Sequence, residues 1–359
     1  MASVKERLVP EAIRGLEAYA PPEGKHPVRL NANENPFALP EPVMGKIRAV
    51  LGACPLNRYP DPSCRNLRDA FARRFGCRSD HVMAGNGSDE LIALLLWTFR
   101  RGSSTGSPAV MVPSPTFNMY VIGALAAGFE VERVPLTADL KLDIDEMIRR
   151  TRRVDPNILF LSNPNNPTGT VFGQSEVKAV LEACRGVVVV DEAYGDFSRE
   201  PTWCPHVEEY PNLVVLRTLS KVGGAALRCG FMVAQPDLIE EVNKVRQPFN
   251  VGTLTQEAGT ILLEHFHLIE KQIEDVIVQR DTLAAGLAEG GLTVFPSAAN
   301  FLLVQAEGRE AQLSAFLHRQ GIVVKFLPRL DVVGDALRIT VGTAEENKAL
   351  LEGVKTFSC

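Results

Sequence analysis

The chain has 359 residues, too many for one ordinary core and suited to a large domain with a smaller one beside it. Hydrophobic residues make up 45% and charged residues 23%, the balance of a globular protein rather than of a fibre or a disordered chain. The formal net charge of −5 argues against a nucleic-acid partner, because phosphate binding needs a basic surface. Residues 1–30 read as an arm: a short helix, then a loop that Pro21, Pro22, Gly24 and Pro27 make a poor helix. The start MASVKERLVPEAIRGL has no apolar signal core, and the longest apolar runs, such as LIALLLWTF, are too short for a membrane span. Seven cysteines lie scattered without a C-x-x-C pair, which predicts reduced thiols and a cytoplasmic protein. His265 and His267 have no acidic or thiol partners at ligand spacing, so no metal site is expected there.

From about residue 40 to 262, short apolar runs alternate with helical patterns. The runs are 108–114, 157–163, 186–191, 212–220 and 229–234, with helical segments at 88–100, 116–127 and 174–184 between them. Continuous apolar strands separated by helices predict an α/β fold with a mainly parallel sheet covered on both faces. A helical stretch follows from Leu254 to Ala288. Then come a strand at 300–306, a helix at 310–320, strands near 322–326 and 336–341, and a last helix. The expected organisation is an arm (1–30) packed on the small domain and a dimer partner, a large domain (31–262), and a smaller α+β domain (263–359).

Ligands of parallel α/β sheets bind beyond the carboxyl ends of the strands. Three polar clusters sit there: 163–169 (NPNNPTG), 191–194 (DEAY) and Ser220-Lys221. Singly, each has an ordinary explanation as a turn, a helix cap or a solvated lysine. Together they bring an amide, a carboxylate and a lysine to one edge, the set that pyridoxal phosphate (PLP) chemistry requires. The amine of Lys221 would form the covalent link to the cofactor. Asp191 would face the pyridine nitrogen and hold its proton, so that the ring withdraws electrons. Asn166 and Tyr194 would donate to the ring oxygen. The turn Gly85-Asn86-Gly87 followed by Ser88 and Asp89 opens a helix, which suits a phosphate. Ser220 and Arg228 would add a hydroxyl and a guanidinium. Phe117 is the candidate flat partner for the ring, or else a core residue. The turn is neither G-x-G-x-x-G nor a P-loop, which excludes a nicotinamide or nucleotide reading on those motifs.

Nearly end to end, the chain resembles the fold-type-I PLP aminotransferases, and within them the histidinol-phosphate aminotransferases. The resemblance is carried by LNANENP (30–36), NRYPD (57–61), GNGSDE (85–90), SNPNNPTG (162–169), DEAY (191–194), TLSK (218–221), LRCG (227–230) and LRITVGT (337–343). It implies that Lys221 also shuttles the proton. It implies that Gly87, Ser88 and Asp89 hold the cofactor phosphate with Ser220 and Arg228, and that Tyr59 reaches that phosphate from the partner of a homodimer. Tyr19 would close over the substrate from the partner. Asn33 and Arg338 would contact substrate, Arg338 at its anionic end. Two departures stand out. Phe117 occupies a position where the family commonly has tyrosine. Lys325, in GIVVK, stands where a second phosphate-binding arginine is usual; lysine keeps the charge and loses the bidentate fork.

The implied reaction is transamination between L-histidinol phosphate and 2-oxoglutarate, giving imidazole-acetol phosphate and glutamate in histidine biosynthesis. An aromatic amino-acid aminotransferase, a decarboxylase such as one for threonine phosphate, or a PLP-binding regulator would use the same lysine, aspartate and phosphate cup, because a fold does not dictate its reaction.

Overall fold

Apolar runs of five or six residues flanked by polar turns are too short for stable helices and long enough to cross a sheet. In the computed structural model, which describes residues 3–16, 18, 24, 26–101 and 106–358, they form strands. Tyr19 lies outside the described residues. The strands are β1 (Val28–Leu30), β2 (Val82–Asn86), β3 (Ala109–Ser114), β4 (Glu130–Pro135), β5 (Ile158–Ser162) and β6 (Val187–Asp191). They continue with β7 (Leu213–Thr218), β8 (Cys229–Val233), β9 (Thr293–Val294), β10 (Phe301–Gln305), β11 (Ile322–Leu330) and β12 (Gly334–Thr340).

The larger sheet has the order β2-β8-β7-β6-β5-β3-β4. Only β8 runs against its neighbours; the other pairings are parallel. β3, β5, β6, β7 and β8 are buried at every residue, as their unbroken apolar sequences require. Helices Gly87–Thr98 and Asn118–Ala126 pack on one face through Leu91, Leu95 and Tyr120. Helices Arg65–Phe75, Gln174–Ala183 and Thr253–Glu264 cover the other through Leu67, Val177 and Leu262. This is the fold-type-I architecture. β2 and β4 were not legible in the sequence. β2 has only three apolar residues before it runs into the glycine turn, and β4, at the sheet edge, alternates charged and apolar residues.

The smaller sheet has the order β1-β11-β12-β10-β9. β1, from the arm, pairs parallel with β11, Val28 opposite Ile322, so the chain's start closes the sheet formed by its end. The helix expected from Leu254 to Ala288 is two helices, Thr253–Glu264 and His267–Glu289. The break turns Phe266 into the core, where Cζ of Arg74 stands 3.3 Å from its ring centroid. The second helix inserts Ile269, Ile273 and Val276 into the core of the larger sheet and Leu283 and Leu287 into that of the smaller. Among the described residues no helix is long and apolar enough to cross a membrane.

Candidate active site

The register of the parallel strands brings the three polar clusters level. Ser162 is opposite Asp191, and Asp191 is opposite Leu216. The loops that follow therefore leave the sheet at one height, and a single cavity opens there. Ser88, Asp89, Phe117, Asn166, Asp191, Tyr194, Ser220, Lys221 and Arg228 all line it.

Asp191 is 3% exposed. Its Oδ2 accepts from the Tyr120 hydroxyl (2.7 Å) and its Oδ1 from the Ala193 amide (3.0 Å). Burial pushes its pKa from 3.8 up to about 6, the two hydrogen bonds opposing that and the charges of Asp89 and Glu192 adding to it. A carboxylate held this way by neutral donors fits a cationic ring nitrogen. Tyr120 was missed in the sequence, although it lies one helical turn beyond Phe117. Its hydroxyl pKa is well above the usual value, first through burial and then through Asp191.

Lys221 follows β7, with Nζ 5.6 Å from the ring centroid of Tyr194. The Tyr194 hydroxyl accepts from Asn33 Nδ2 (3.0 Å) and Asn166 Nδ2 (3.3 Å). Arg338 on β12 donates Nη1 to Asn166 Oδ1 (2.6 Å) and Nη2 to the Asn31 carbonyl (3.0 Å). Asn33 is held in turn by Thr340, whose hydroxyl accepts the Asn33 amide at 2.9 Å. The smaller sheet thus supports the cavity's wall through Arg338, and the segment after β1 through buried Asn33, each bonded to a residue that lines it. Phe117, half-buried, meets Tyr120 edge-on, with centroids 5.4 Å apart.

The anion end is built on the helix Gly87–Thr98. Its first amides carry no side-chain cap, so they and the helix dipole are available to an anion. Gly87 has φ +79°, and a Cβ there would stand 2.6 Å from Arg228 Nη2. A Cβ on Gly230 of β8 would stand 2.5 Å from the Gly87 carbonyl carbon and 2.6 Å from the Ser88 nitrogen. Only glycines allow this approach. Arg228 donates to Ser220 Oγ (3.3 Å) and Asp89 Oδ2 (3.1 Å). Thr218, also unforeseen, orients Ser220 by donating to Ser220 Oγ at 2.9 Å.

Tyr59 and Lys325 do not line this cavity either. Tyr59 is 81% exposed, away from the cavity of its own chain, and stacks on Phe249 with centroids 4.5 Å apart. Lys325 on β11 is the cross-strand partner of Arg338 on β12. A flat ring with a cationic nitrogen and an anionic tail fits these residues: carboxylate at one end, helix start at the other, lysine between.

The family described as aminotransferase class I and II matches residues 25–354. The chain is 38% identical over 357 residues to histidinol-phosphate aminotransferase 2 of Cupriavidus pinatubonensis, covering 98% of this chain and 96% of the relative. It is 38% identical over 358 residues to the histidinol-phosphate aminotransferase of Chromobacterium violaceum, covering 98% of each. In fold it is similar to the histidinol-phosphate aminotransferase of Sinorhizobium meliloti solved in complex with pyridoxal-5'-phosphate. The TM-score is 0.85 at 24% identity, over 97% of this chain and 96% of that one.

Proposed function

We propose a reaction from one premise: the chain belongs to the class I and II aminotransferase family. It is a PLP-dependent transaminase that moves the amino group of L-histidinol phosphate to 2-oxoglutarate, a step of histidine biosynthesis. The observation that carries this reading is similarity along almost the whole chain to relatives named for that reaction. Six cysteines among the described residues carry free thiols, which supports a cytoplasmic enzyme.

When bound, PLP supplies an aldehyde for the amino group and a ring that withdraws electrons from the substrate's α-carbon. Lys221 Nζ would hold it covalently, and its amine would serve as the base that moves the proton at that carbon. Asp191 keeps a proton on the ring nitrogen; Tyr120 and the Ala193 amide fix the direction of its carboxylate. Asn166 and Tyr194 donate to the ring oxygen, and Phe117 covers the ring. The amides of Gly87, Ser88 and Asp89, with Ser220 and Arg228, bind the phosphate. The Asp89 carboxylate cannot bind an anion, and its part is to aim Arg228. Asn33 orients Tyr194, and Arg338 with Lys325 takes the substrate's anionic end.

The arm (1–30), large domain (31–262) and small domain (263–359) belong to the same proposal, as does a homodimer. Tyr59, Phe249, Leu56 and Leu254 leave apolar surface exposed on two neighbouring segments, which a second copy would cover. Tyr59 would then reach the partner's phosphate site, with Tyr19 closing over the partner's substrate.

A coupled assay of purified protein, with histidinol phosphate or phenylalanine as donor to 2-oxoglutarate, tests the substrate. Histidinol phosphate is expected to be strongly preferred. Preference for phenylalanine would replace this reading with the aromatic aminotransferase.

A further inference from the structure

On the face of the larger sheet opposite Tyr120 lies a buried ion cluster that the chemistry above does not use. Arg217 of β7 is 4% exposed. Its Nη1 donates to Glu192 Oε2 (3.0 Å) and its Nη2 to Asp196 Oδ2 (2.7 Å). Glu192 also accepts from Thr202 Oγ1 (2.6 Å) and the Trp203 amide (2.7 Å). The guanidinium lies over Phe75, 4.3 Å from its centroid, and the space for it depends on Gly195. A Cβ on Gly195 would stand 2.4 Å from Nη1. Burial works against this charge, yet the two facing carboxylates outweigh it and hold the guanidinium's pKa above its ordinary value.

The sequence positions of these groups matter more than their energy. Glu192 directly follows Asp191, and Glu192 and Asp196 bracket the Ala193 amide and Tyr194. Arg217 precedes Thr218, which orients Ser220, and stands four residues before Lys221. One rigid fork therefore ties the loop that carries the ring contacts to the loop that carries the lysine. Apolar residues stabilise a core as well as a buried ion cluster does. A planar guanidinium adds direction at both of its ends.

We propose that Arg217 is a positioning residue for the cofactor, setting the angle and distance between the Asp191 carboxylate and Lys221 from behind the sheet. This rests on the PLP reading above. Two variants test it in the full-length protein reconstituted with PLP. Arg217→Lys keeps the charge and loses the fork. Gly195→Ala keeps every charge and presses on Nη1, so it carries the test should Arg217→Lys fail to fold. The readouts are PLP affinity, visible circular dichroism per bound cofactor (an achiral molecule that gains its signal from how it is held), and steady-state kinetics. A misplacement of the ring should weaken dichroism and PLP affinity and lower kcat about 10- to 100-fold, with KM nearly unchanged. Variants that only melt earlier, with wild-type dichroism, affinity and kcat, overturn the inference. A wild type that binds PLP yet ignores histidinol phosphate would overturn the substrate reading and not this one, because dichroism and affinity need no substrate.

Discussion

Asp191 is a carboxylate that the fold would rather keep protonated. Its pKa rises from 3.8 to about 6 in the folded, cofactor-free chain, chiefly through burial. The folded state thus holds a proton between about pH 4 and 6 that the unfolded state has already lost. Stability from this group is greatest below that window and falls as pH rises through it, by about 3 kcal/mol in all. Asp191→Asn removes the penalty. The cofactor-free variant is expected to melt at a higher temperature than the wild type at pH 8 and at about the same temperature near pH 4. Its transamination should nevertheless collapse, because a neutral amide cannot hold the ring proton. Melting curves at the two pH values, with the coupled assay, check both halves. Equal melting temperatures at pH 8 would mean that the carboxylate carries no burial penalty.

Between elements, backbone proximity and register decide what the site can do. β8 approaches the start of the helix Gly87–Thr98 so closely that Gly230 cannot accept a side chain. Gly230→Ala should push the helix start away from Arg228, destabilising the protein by about 1–3 kcal/mol, typical of overpacking. PLP affinity should fall with it, more than in a variant of equal stability loss made far from the site; a PLP titration beside a melting curve distinguishes the two. On the smaller sheet, Lys325 and Arg338 face one another across β11 and β12. A phosphate monoester carries about −1.5 to −2 charge at neutral pH and a carboxylate −1, so two cations suit the first better. Lys325→Ala is expected to lower kcat/KM for histidinol phosphate roughly 10- to 100-fold, and for glutamate far less. Lys325→Arg should be tolerated or improved, since the guanidinium fork fits a phosphate edge. Equal losses for both substrates would remove Lys325 from phosphate recognition.

At the scale of the whole molecule, Tyr59 stands on the outside of its own chain, away from that chain's cavity, so the proposed site would take it from a second copy. Lys221→Ala is expected to abolish turnover while leaving the fold intact, and a Tyr59→Ala chain to be severely impaired. Mixed and refolded together, the two should regain part of the activity, since one site of each heterodimer then has all its parts. A fully active monomer in sedimentation would rule this out. The sequence by itself determined the unbroken apolar strands β3, β5, β6, β7 and β8, and with them the convergence of Asn166, Asp191 and Lys221. Burial on both faces leaves a signature in composition, and parallel strands deliver their following loops to one edge. Only the tertiary structure decided the reversed direction of β8, the pairing of β1 with β11, Tyr120 as the support of Asp191, and Arg217 as the tie behind it. Periodicity reveals that a residue is buried; which distant group its polar atoms meet depends on packing between elements far apart in the chain.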